Sequence, residues 1–306
     1  GFSRSGSIVE IDTIRLLVDH GITVTCVGGG GIAADGDVIL AATGYGTVVA
    51  VNAGSGAKIW EKSLGAPIRS SPTAADGRVY VNTSEGQFFC LNILDGSELW
   101  RFRGAAQGAS FLNNVSPAVA GEMVVVPYPT GEIVALKVAS GEPFWAESVA
   151  FARGASSLAS LSDPARPAIE GDAVFAVGNS GRLIATSQKS GERLWSLTVR
   201  GKQAPWVAGS VVFVVDVKGR LLAVSRDAGE VLWTAQLPAQ GSWAGPVLAS
   251  NRLWLTSTSG LVVGVDAATG KIAVQRSIEE KIAIAPVVAG GRLYVLTDDA
   301  TLYAFD

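Results

Sequence analysis

The chain has 306 residues, of which 48% are hydrophobic and 17% charged, and its formal net charge is -3. This length can bury a large core, and the acidic balance without a basic stripe excludes a nucleic-acid-binding protein. No apolar run reaches the roughly 18 residues of a membrane-spanning helix, so we expect no transmembrane segment.

The N-terminal residues are predicted to form a helical appendage, 1–21, that precedes the rest of the fold. Within Ser7–Gly21 the apolar residues recur at helical spacing, and Gly21 is a suitable stop. Residues 22–27, ITVTCV, read as a strand, and 28–31 is a run of four glycines. The apolar positions of the predicted helix are Ile8, Ile11, Ile14, Leu17 and Val18.

A ten-residue sequence recurs along the remainder of the chain, beginning with VNAGSGAKIW, which ends at Trp60. Six copies occur at spacings of 38 to 50 residues, and each has a glycine four residues before its last position. Such a period is typical of propellers and solenoids. The sixth copy is degraded and ends at Val274, whereas the five intact copies end at Trp60, Trp100, Trp145, Trp195 and Trp233.

The full repeat consists of an Ala/Gly-rich strand, an Asp-Gly type of turn, two further strands and the tryptophan segment, which is degraded in the sixth unit and missing from the seventh. Seven such hairpins predict one all-β domain over residues 22–306, a seven-bladed β-propeller of four-stranded blades. The tryptophan falls in the outermost strand, where its ring can dock on the neighbouring blade and its N–H can reach a backbone acceptor. We expect a looser junction at Val274, which replaces the sixth tryptophan.

Closure of the ring is predicted to involve both ends of the sequence. Residues 301–306 read as the third strand of the seventh blade, which leaves that blade without an outer strand. A strand borrowed from the other terminus would remove this exposed edge. We therefore expect residues 22–27 to pair with 301–306, with Thr25 in the place of a tryptophan.

Few residues suit catalysis or metal binding. His20 is the only histidine, at the end of the predicted helix, and Cys26 and Cys90 lie in strand-like runs of different repeats. Two buried free thiols are the favoured interpretation of these cysteines, and a disulfide is the alternative. Neither a catalytic triad nor a His/Cys metal cluster can be assembled. The sequence therefore predicts a protein without enzymatic activity or cofactor, and a weak enzyme or small-molecule binder using the central channel remains the alternative.

Two long strings carry a family resemblance, GGGIAADGDVILAATGYGTVVAVNAGSG and GASSLASLSDPARPAIEGDAVFAVGNSGRL. The repeat resembles the tryptophan-docking motif of quinoprotein-type (PQQ-like) propellers. Residues 29–306 resemble BamB, the outer-membrane protein assembly lipoproteins, in their alphaproteobacterial form. The resemblance implies a non-catalytic scaffold at the periplasmic face of the outer membrane, which binds a POTRA domain of a BamA-like protein.

The resemblance also implies two contact segments for that partner. The first is the loop Ser156–Arg166, in which Ser160 departs from the basic residue that the family can carry there. The second is the turn of the fifth blade. The implied contact residues are Leu158, Leu161, Ser162, Asp163, Arg166, Asp216, Lys218 and Arg220. In the alternative interpretation, Leu158 and Leu161 pack under their own loop.

Residues 5–31 resemble a fragment of carbamate kinases, from which we carry over local structure and no activity. Because BamB relatives have eight blades, seven predicted blades suggest a fusion in which this fragment replaces the first blade. The sequence as given shows no signal peptide or lipid anchor, so we expect it to stay in the cytoplasm if expressed in this form. The oligomeric state is open.

Overall fold

The computed structural model describes residues 32–104, 115–150, 164–179, 181–238, 241–299 and 301–306. In these ranges the regular elements are 27 β-strands, arranged in seven antiparallel sheets. None of the described elements is a helix that could cross a membrane. The predicted helix 7–21 and the predicted strand 22–27, with its pairing to 301–306, lie outside the described residues or depend on residues outside them, and stay predictions.

The described residues up to Ser148 form one compact unit, and those from Val149 to Asp306 form a second. The prediction of a single domain over 22–306 therefore stays a prediction. The first unit contains sheets 1 to 3, with strands β1 Ile32–Asp35, β2 Val38–Ala42, β3 Thr47–Asn52 and β4 Lys58–Ser63; β5 Thr73–Ala75, β6 Arg78–Asn82, β7 Gln87–Asn92 and β8 Glu98–Arg103; and β9 Ala118–Ala120, β10 Met123–Pro127, β11 Glu132–Lys137 and β12 Pro143–Ser148.

The second unit contains sheets 4 to 7. Their strands are β13 Ala168–Glu170, β14 Ala173–Val177, β15 Leu183–Ser187 and β16 Arg193–Leu197; β17 Trp206–Ala208, β18 Val211–Val215, β19 Arg220–Ser225 and β20 Val231–Gln236; β21 Trp243–Ala249, β22 Arg252–Ser257, β23 Leu261–Asp266 and β24 Ile272–Ser277; and β25 Val287–Ala289, β26 Arg292–Leu296 and β27 Leu302–Phe305.

Each sheet is a meander in which consecutive strands pair in chain order. The second and third strands of a sheet are rich in β-branched and aliphatic residues, and their side chains are directed alternately to the two faces. In sheet 2 both faces are covered: Val79 and Phe89 pack in one cluster with Leu40 of sheet 1, and Tyr80 and Phe88 pack in another with Val124 of sheet 3. The core therefore lies between successive sheets within each unit.

A β-bulge recurs in the fourth strand of every four-stranded sheet. In sheet 1, Val51 pairs with Lys58 and Ala50 with Trp60, so Ile59 is the extra residue. The same register shift precedes each repeat tryptophan and Val274. The extra residues include Ile59, Leu99, Phe144, Leu194 and Leu232, whose exposed fractions run from 43% to 55%. The bulge thus turns the apolar residue outward and the tryptophan toward the next sheet.

Four repeat tryptophans share one docking geometry, in which the indole meets the 3–4 turn of the following sheet. Trp60 Nε1 donates to the Ile93 carbonyl oxygen at 2.7 Å. A Cβ built on Gly96 would lie 2.6 Å from Trp60 Cε3, so the ring occupies the space above this glycine. The other donor–acceptor pairs are Trp100 to Val138, Trp195 to Arg226 and Trp233 to Ala267, at 2.9, 2.7 and 3.2 Å, with rings over Gly141, Gly229 and Gly270.

The junction between sheets 6 and 7 is built differently because Val274 replaces the tryptophan. Here Trp254 on the second strand packs in a cluster with Leu293 and Val295 of sheet 7. The cross-strand neighbour of Trp254 is Gly264, where a Cβ would lie 2.9 Å from Trp254 Cζ3. Trp254 stands at the second-strand position that Tyr80, Phe175 and Phe213 hold in sheets 2, 4 and 5, and this larger ring lies opposite a glycine instead of a cysteine or an alanine. The expected looseness of this junction stays a prediction.

Sheet 7 has three strands among the described residues, so β27 is its edge. The corresponding third strands of the other sheets are covered by a fourth strand and are largely buried. In β27, by contrast, Leu302 is 41% exposed. Its composition is that of an internal strand, since residues 302–305 carry no charge.

Candidate partner-binding site

The stems of the predicted contact loop lie against the β14–β15 turn. On one side, Arg182 donates from its backbone N to the Val149 oxygen and from Nη2 to the Ala150 oxygen, both at 3.0 Å. On the other side, Pro164 forms an isolated bridge with Gly178, and the Ala165 N donates to Val177. Both ends of the loop are therefore held at one edge of sheet 4.

Most of the predicted loop contacts lie outside the described residues, namely Leu158, Leu161, Ser162 and Asp163. Arg166 is described and is exposed, and it follows the stem that pairs with the β14–β15 turn. Whether Leu158 and Leu161 contact a partner or pack under their own loop stays open.

The predicted contacts of the fifth sheet form its β18–β19 turn. Asp216 is 6% exposed, and its Oδ1 accepts hydrogen bonds from the backbone N of Lys218 and of Arg220, both at 2.8 Å. Its Oδ2 accepts from Arg220 Nε and Nη2 at 2.7 and 2.6 Å. Both oxygens of this carboxylate are therefore engaged within the turn, and Asp216 shapes the turn instead of offering acceptors to solvent.

The tip of this turn is what the surface presents. Val217 is 40% exposed and Lys218 is exposed beside it. Gly219 has a φ of +73°, and its oxygen accepts from Leu237 N and Gln236 Nε2. The backbone is thus held on both sides, and an apolar and a cationic side chain project from a fixed loop.

Arg200 links the β18–β19 turn to the β14–β15 turn, against which the stems of the predicted loop lie. Its carbonyl oxygen accepts from Val217 N at 2.8 Å, and its Nε donates to the Asn179 oxygen at 2.9 Å. The next residue continues the link, because Gly201 N donates to Gly178 at 3.2 Å. The structure therefore brings the loop stems and the β18–β19 turn to one edge of the second unit, which we call the contact edge: residues 164–167, 178–179, 181–182, 198–205 and 216–220.

Sequence reasoning missed Arg182, Arg200 and Lys202 on this edge. Each lies in or beside a glycine-containing turn or connection, which marks a loop but not its neighbours. Only the hydrogen bonds between the turns of sheets 4 and 5 show that these loops meet. A resemblance to contact loops could not identify them, because Arg182 and Arg200 belong to the edge through hydrogen bonds to backbone oxygens, and exposed Lys202 follows Arg200 by two residues.

Ionisable groups with shifted pKa values are dispersed among the described residues. Hydrogen bonds within their own turns lower the pKa of Asp95, through Ser97, and of Asp266, through Thr269. Burial raises the pKa of the Cys90 thiol to about 12 and raises that of Tyr128 as well. Asp95 and Cys90 belong to sheet 2, Tyr128 to sheet 3 and Asp266 to sheet 6, and each shift arises from its own turn or from burial. These described groups therefore do not form the ionisable cluster that a catalytic channel mouth requires.

A groove of about 490 Å³ lies on the outer side of sheets 6 and 7, away from the innermost strands. Tyr303 donates from its hydroxyl to Glu280 Oε2 at 3.1 Å there, and the Arg276 guanidinium lies 5.3 Å from the centre of the Phe305 ring. Because its walls are the outer strand β24 and the edge strand β27, this groove does not support a central-channel site.

Comparison with known proteins gives the family. A family model described as outer membrane protein assembly factor BamB matches residues 9–235 and 218–306. The chain belongs to the BamB family. The match begins at residue 9, so it includes most of the segment that resembles carbamate kinases. Nothing in it addresses that second resemblance.

Individual BamB relatives are distant in sequence. The outer membrane protein assembly factor BamB of Nitrosomonas eutropha is 25% identical over 147 residues, which cover 48% of this chain and 36% of that protein. The matched part thus spans about a third of the length of the curated relatives.

Solved structures share the fold. BamB from Moraxella catarrhalis superposes with a TM-score of 0.81 at 23% identity, over 90% of this chain and 84% of that one. A europium-containing methanol dehydrogenase gives a TM-score of 0.71 at 13% identity, over 91% and 76%. These similarities, together with the seven described sheets, confirm the predicted all-β propeller fold class. At such low identities they show the fold alone and do not identify an activity of this chain.

Proposed function

We propose that this protein is a non-catalytic scaffold of outer-membrane β-barrel assembly, located at the periplasmic face of the outer membrane. Membership of the BamB family supports this role, since the matched relatives are named as assembly factors of outer membrane proteins. A scaffold of this kind acts through rigid loops held on packed sheets.

The proposed partner is a POTRA domain of a BamA-like protein, bound at the contact edge. The observation that carries this proposal is the hydrogen-bonded link through Arg200, which connects the β18–β19 turn to the β14–β15 turn that holds the stems of the predicted loop. The described stem of the first segment and the second segment, about 50 residues apart along the chain, lie at one edge of the second unit. This proximity supports a binding site built from both segments. In this site Asp216 holds the turn, whereas Val217 and Lys218 face the partner.

Titration of the purified protein with the cognate POTRA fragment tests the proposal. We expect measurable binding that weakens on Leu161→Ala and on Lys218→Ala. The matched controls are Leu232→Ala and Lys271→Ala, and both variants should bind as wild type. Leu232 is an exposed leucine of an outer-strand bulge, and Lys271 is an exposed lysine of the β23–β24 turn, at the other end of the strands from the contact edge. Absence of binding for the wild type at high micromolar concentration would contradict the proposed function.

We further propose that the chain is a blade-deleted fusion, with its junction at the glycine run 28–31. Seven predicted blades and the kinase-like residues 5–31 support this origin. Sequencing the genomic locus across these codons tests it, because an uninterrupted BamB coding frame upstream of residue 28 would contradict a fusion.

A further inference from the structure

Charge is segregated along the strands of sheets 4 and 5. The contact edge carries one described carboxylate, Asp216, and six cations: Arg166, Arg182, Arg200, Lys202, Lys218 and Arg220. At the opposite edge of the same two sheets, acidic residues outnumber basic ones. The ionisable residues there are the acids Glu170, Asp172, Glu192, Asp227 and Glu230 and the bases Lys189, Arg193 and Arg226.

Three cations of the contact edge are available to a partner. Arg200, Lys202 and Lys218 are exposed and form no ion pair with any carboxylate that the structure describes. The guanidinium of Arg200 is oriented by its bond to the neutral Asn179 oxygen, which leaves its charge uncompensated. The carboxylate of Asp216 does not neutralise this group, because both of its oxygens are engaged by the β18–β19 turn and Arg220.

We propose that the contact edge receives an acidic segment of the partner protein, with Arg200, Lys202 and Lys218 facing its carboxylates. This inference rests on the proposed function and names the chemistry of the partner surface. Complementary charges at an interface steer association and fix the orientation of the complex more than they add affinity. The edge would therefore select where an acidic loop or strand docks, while Val217 supplies apolar contact beside it.

Exposed carboxylates on the neighbouring sheets of the second unit disfavour a long polyanion as the ligand. At the corresponding edge of sheets 6 and 7 these are Glu279, Asp298 and Asp299. Asp298 is held in place, since its N donates to the Lys281 oxygen and its Oδ1 accepts from Ala283 N. A short acidic segment can remain on sheets 4 and 5, whereas a nucleic acid or an anionic bilayer would extend over these carboxylates and be repelled.

The experiment measures binding of the cognate POTRA fragment by the wild type and by the double variant Lys202→Glu/Lys218→Glu, at about 50 and about 300 mM NaCl, where screening differs strongly. We expect the wild-type Kd to rise about tenfold between these salt concentrations, and the variant to bind about tenfold more weakly with little salt dependence. Arg200→Gln provides an independent variant. The matched control Lys189→Glu/Lys271→Glu reverses two exposed lysines at the opposite edge and should stay within about twofold of wild type.

The outcomes separate the two proposals. Wild-type binding that is insensitive to salt and unchanged in both variants would overturn the acidic-segment inference and leave the proposed function intact. No wild-type binding at either salt concentration would overturn the proposed function and, with it, this inference. Equal, charge-dependent binding of a duplex DNA oligonucleotide or of phosphatidylglycerol vesicles would show a general anion-binding surface and overturn the assignment to a protein segment.

Discussion

The indole ring of Trp60 occupies the space that a Cβ on Gly96 would need, and its N–H donates to Ile93 three residues before that glycine. Gly96 therefore serves two purposes: its φ of +69° makes the 3–4 turn, and its missing side chain admits the tryptophan of the preceding sheet. The glycine and tryptophan of one repeat consequently serve different junctions.

Substitution of Gly96 tests this packing. Gly96→Ala should lower the free energy of unfolding by about 1–3 kcal/mol for overpacking, beyond the cost of the left-handed backbone. Gly86→Ala is the matched control, because Gly86 has a φ of +73° and nothing within 4 Å of its built Cβ. Urea denaturation of both variants measures the difference, and equal losses would show that the ring adapts without cost.

A double-mutant cycle tests the contact between Trp254 and Gly264 in sheet 6. Gly264→Ala should destabilise the protein, since its Cβ meets Trp254 Cζ3, and should cost less in a Trp254→Leu background. We expect a coupling free energy of about 0.5–3 kcal/mol for these neighbours. The pair Gly264→Ala and Leu232→Ala is the control and should be additive. Additivity of the Trp254 pair would mean that the two residues do not share the space between these sheets.

The turn role of Asp216 predicts coupled effects on stability and binding. Asp216→Asn should lower the free energy of unfolding by about 1–3 kcal/mol, because an amide group cannot accept all four hydrogen bonds of the buried carboxylate. Lys218→Ala should leave stability within about 0.5 kcal/mol of wild type and weaken partner binding only. Thermal unfolding and titration of both variants distinguish a turn-stabilising role of Asp216 from direct contact with the partner. If Asp216 contacted the partner directly, Asp216→Asn would weaken binding without lowering stability.

Burial of Cys90 predicts a dependence of stability on alkaline pH. Its thiol pKa is raised from 9.0 to about 12 in the fold, so the unfolded chain ionises first. The stability contributed by the neutral thiol is therefore fully present below pH 9 and is lost as the pH rises toward 12. We expect urea denaturation of the wild type to show a steeper loss above pH 9 than Cys90→Ala. Alanine fits because Ala50 and Ala135 hold the corresponding position in sheets 1 and 3. Parallel pH profiles would contradict the prediction.

Local patterns were enough to predict the hairpins. Alternating apolar residues and glycine turns predicted the second and third strands of seven blades. In the structure, these hairpins are the second and third strands of sheets 1 to 7, from β2–β3 in sheet 1 to β26–β27 in sheet 7. The bulge before each tryptophan was not predictable, because Ile59 and its counterparts look like ordinary strand residues until the register with the third strand is known. The close packing of Trp254 on Gly264 was missed for the same reason, since it is a cross-strand relationship.

Family resemblance identified the segments of the candidate site, but only the structure shows which of their side chains are exposed and which hold the turn. Lys218 looked equivalent to Asp216 as a contact residue in the sequence. The structure shows that Lys218 is exposed at the tip of the turn, whereas Asp216 is buried and its carboxylate accepts four hydrogen bonds. The cations Arg200 and Lys202 belong to no motif, and they become part of the site only through the contacts of two turns.

The amino-acid sequence by itself determined the repeat, the strand order within each sheet and the family, because periodicity and turn chemistry are local properties. Only the tertiary structure decided which glycine receives which tryptophan and which loops share an edge. Those relationships join residues about 20 to 40 positions apart, and they depend on the register and packing of different strands, which a linear pattern does not encode.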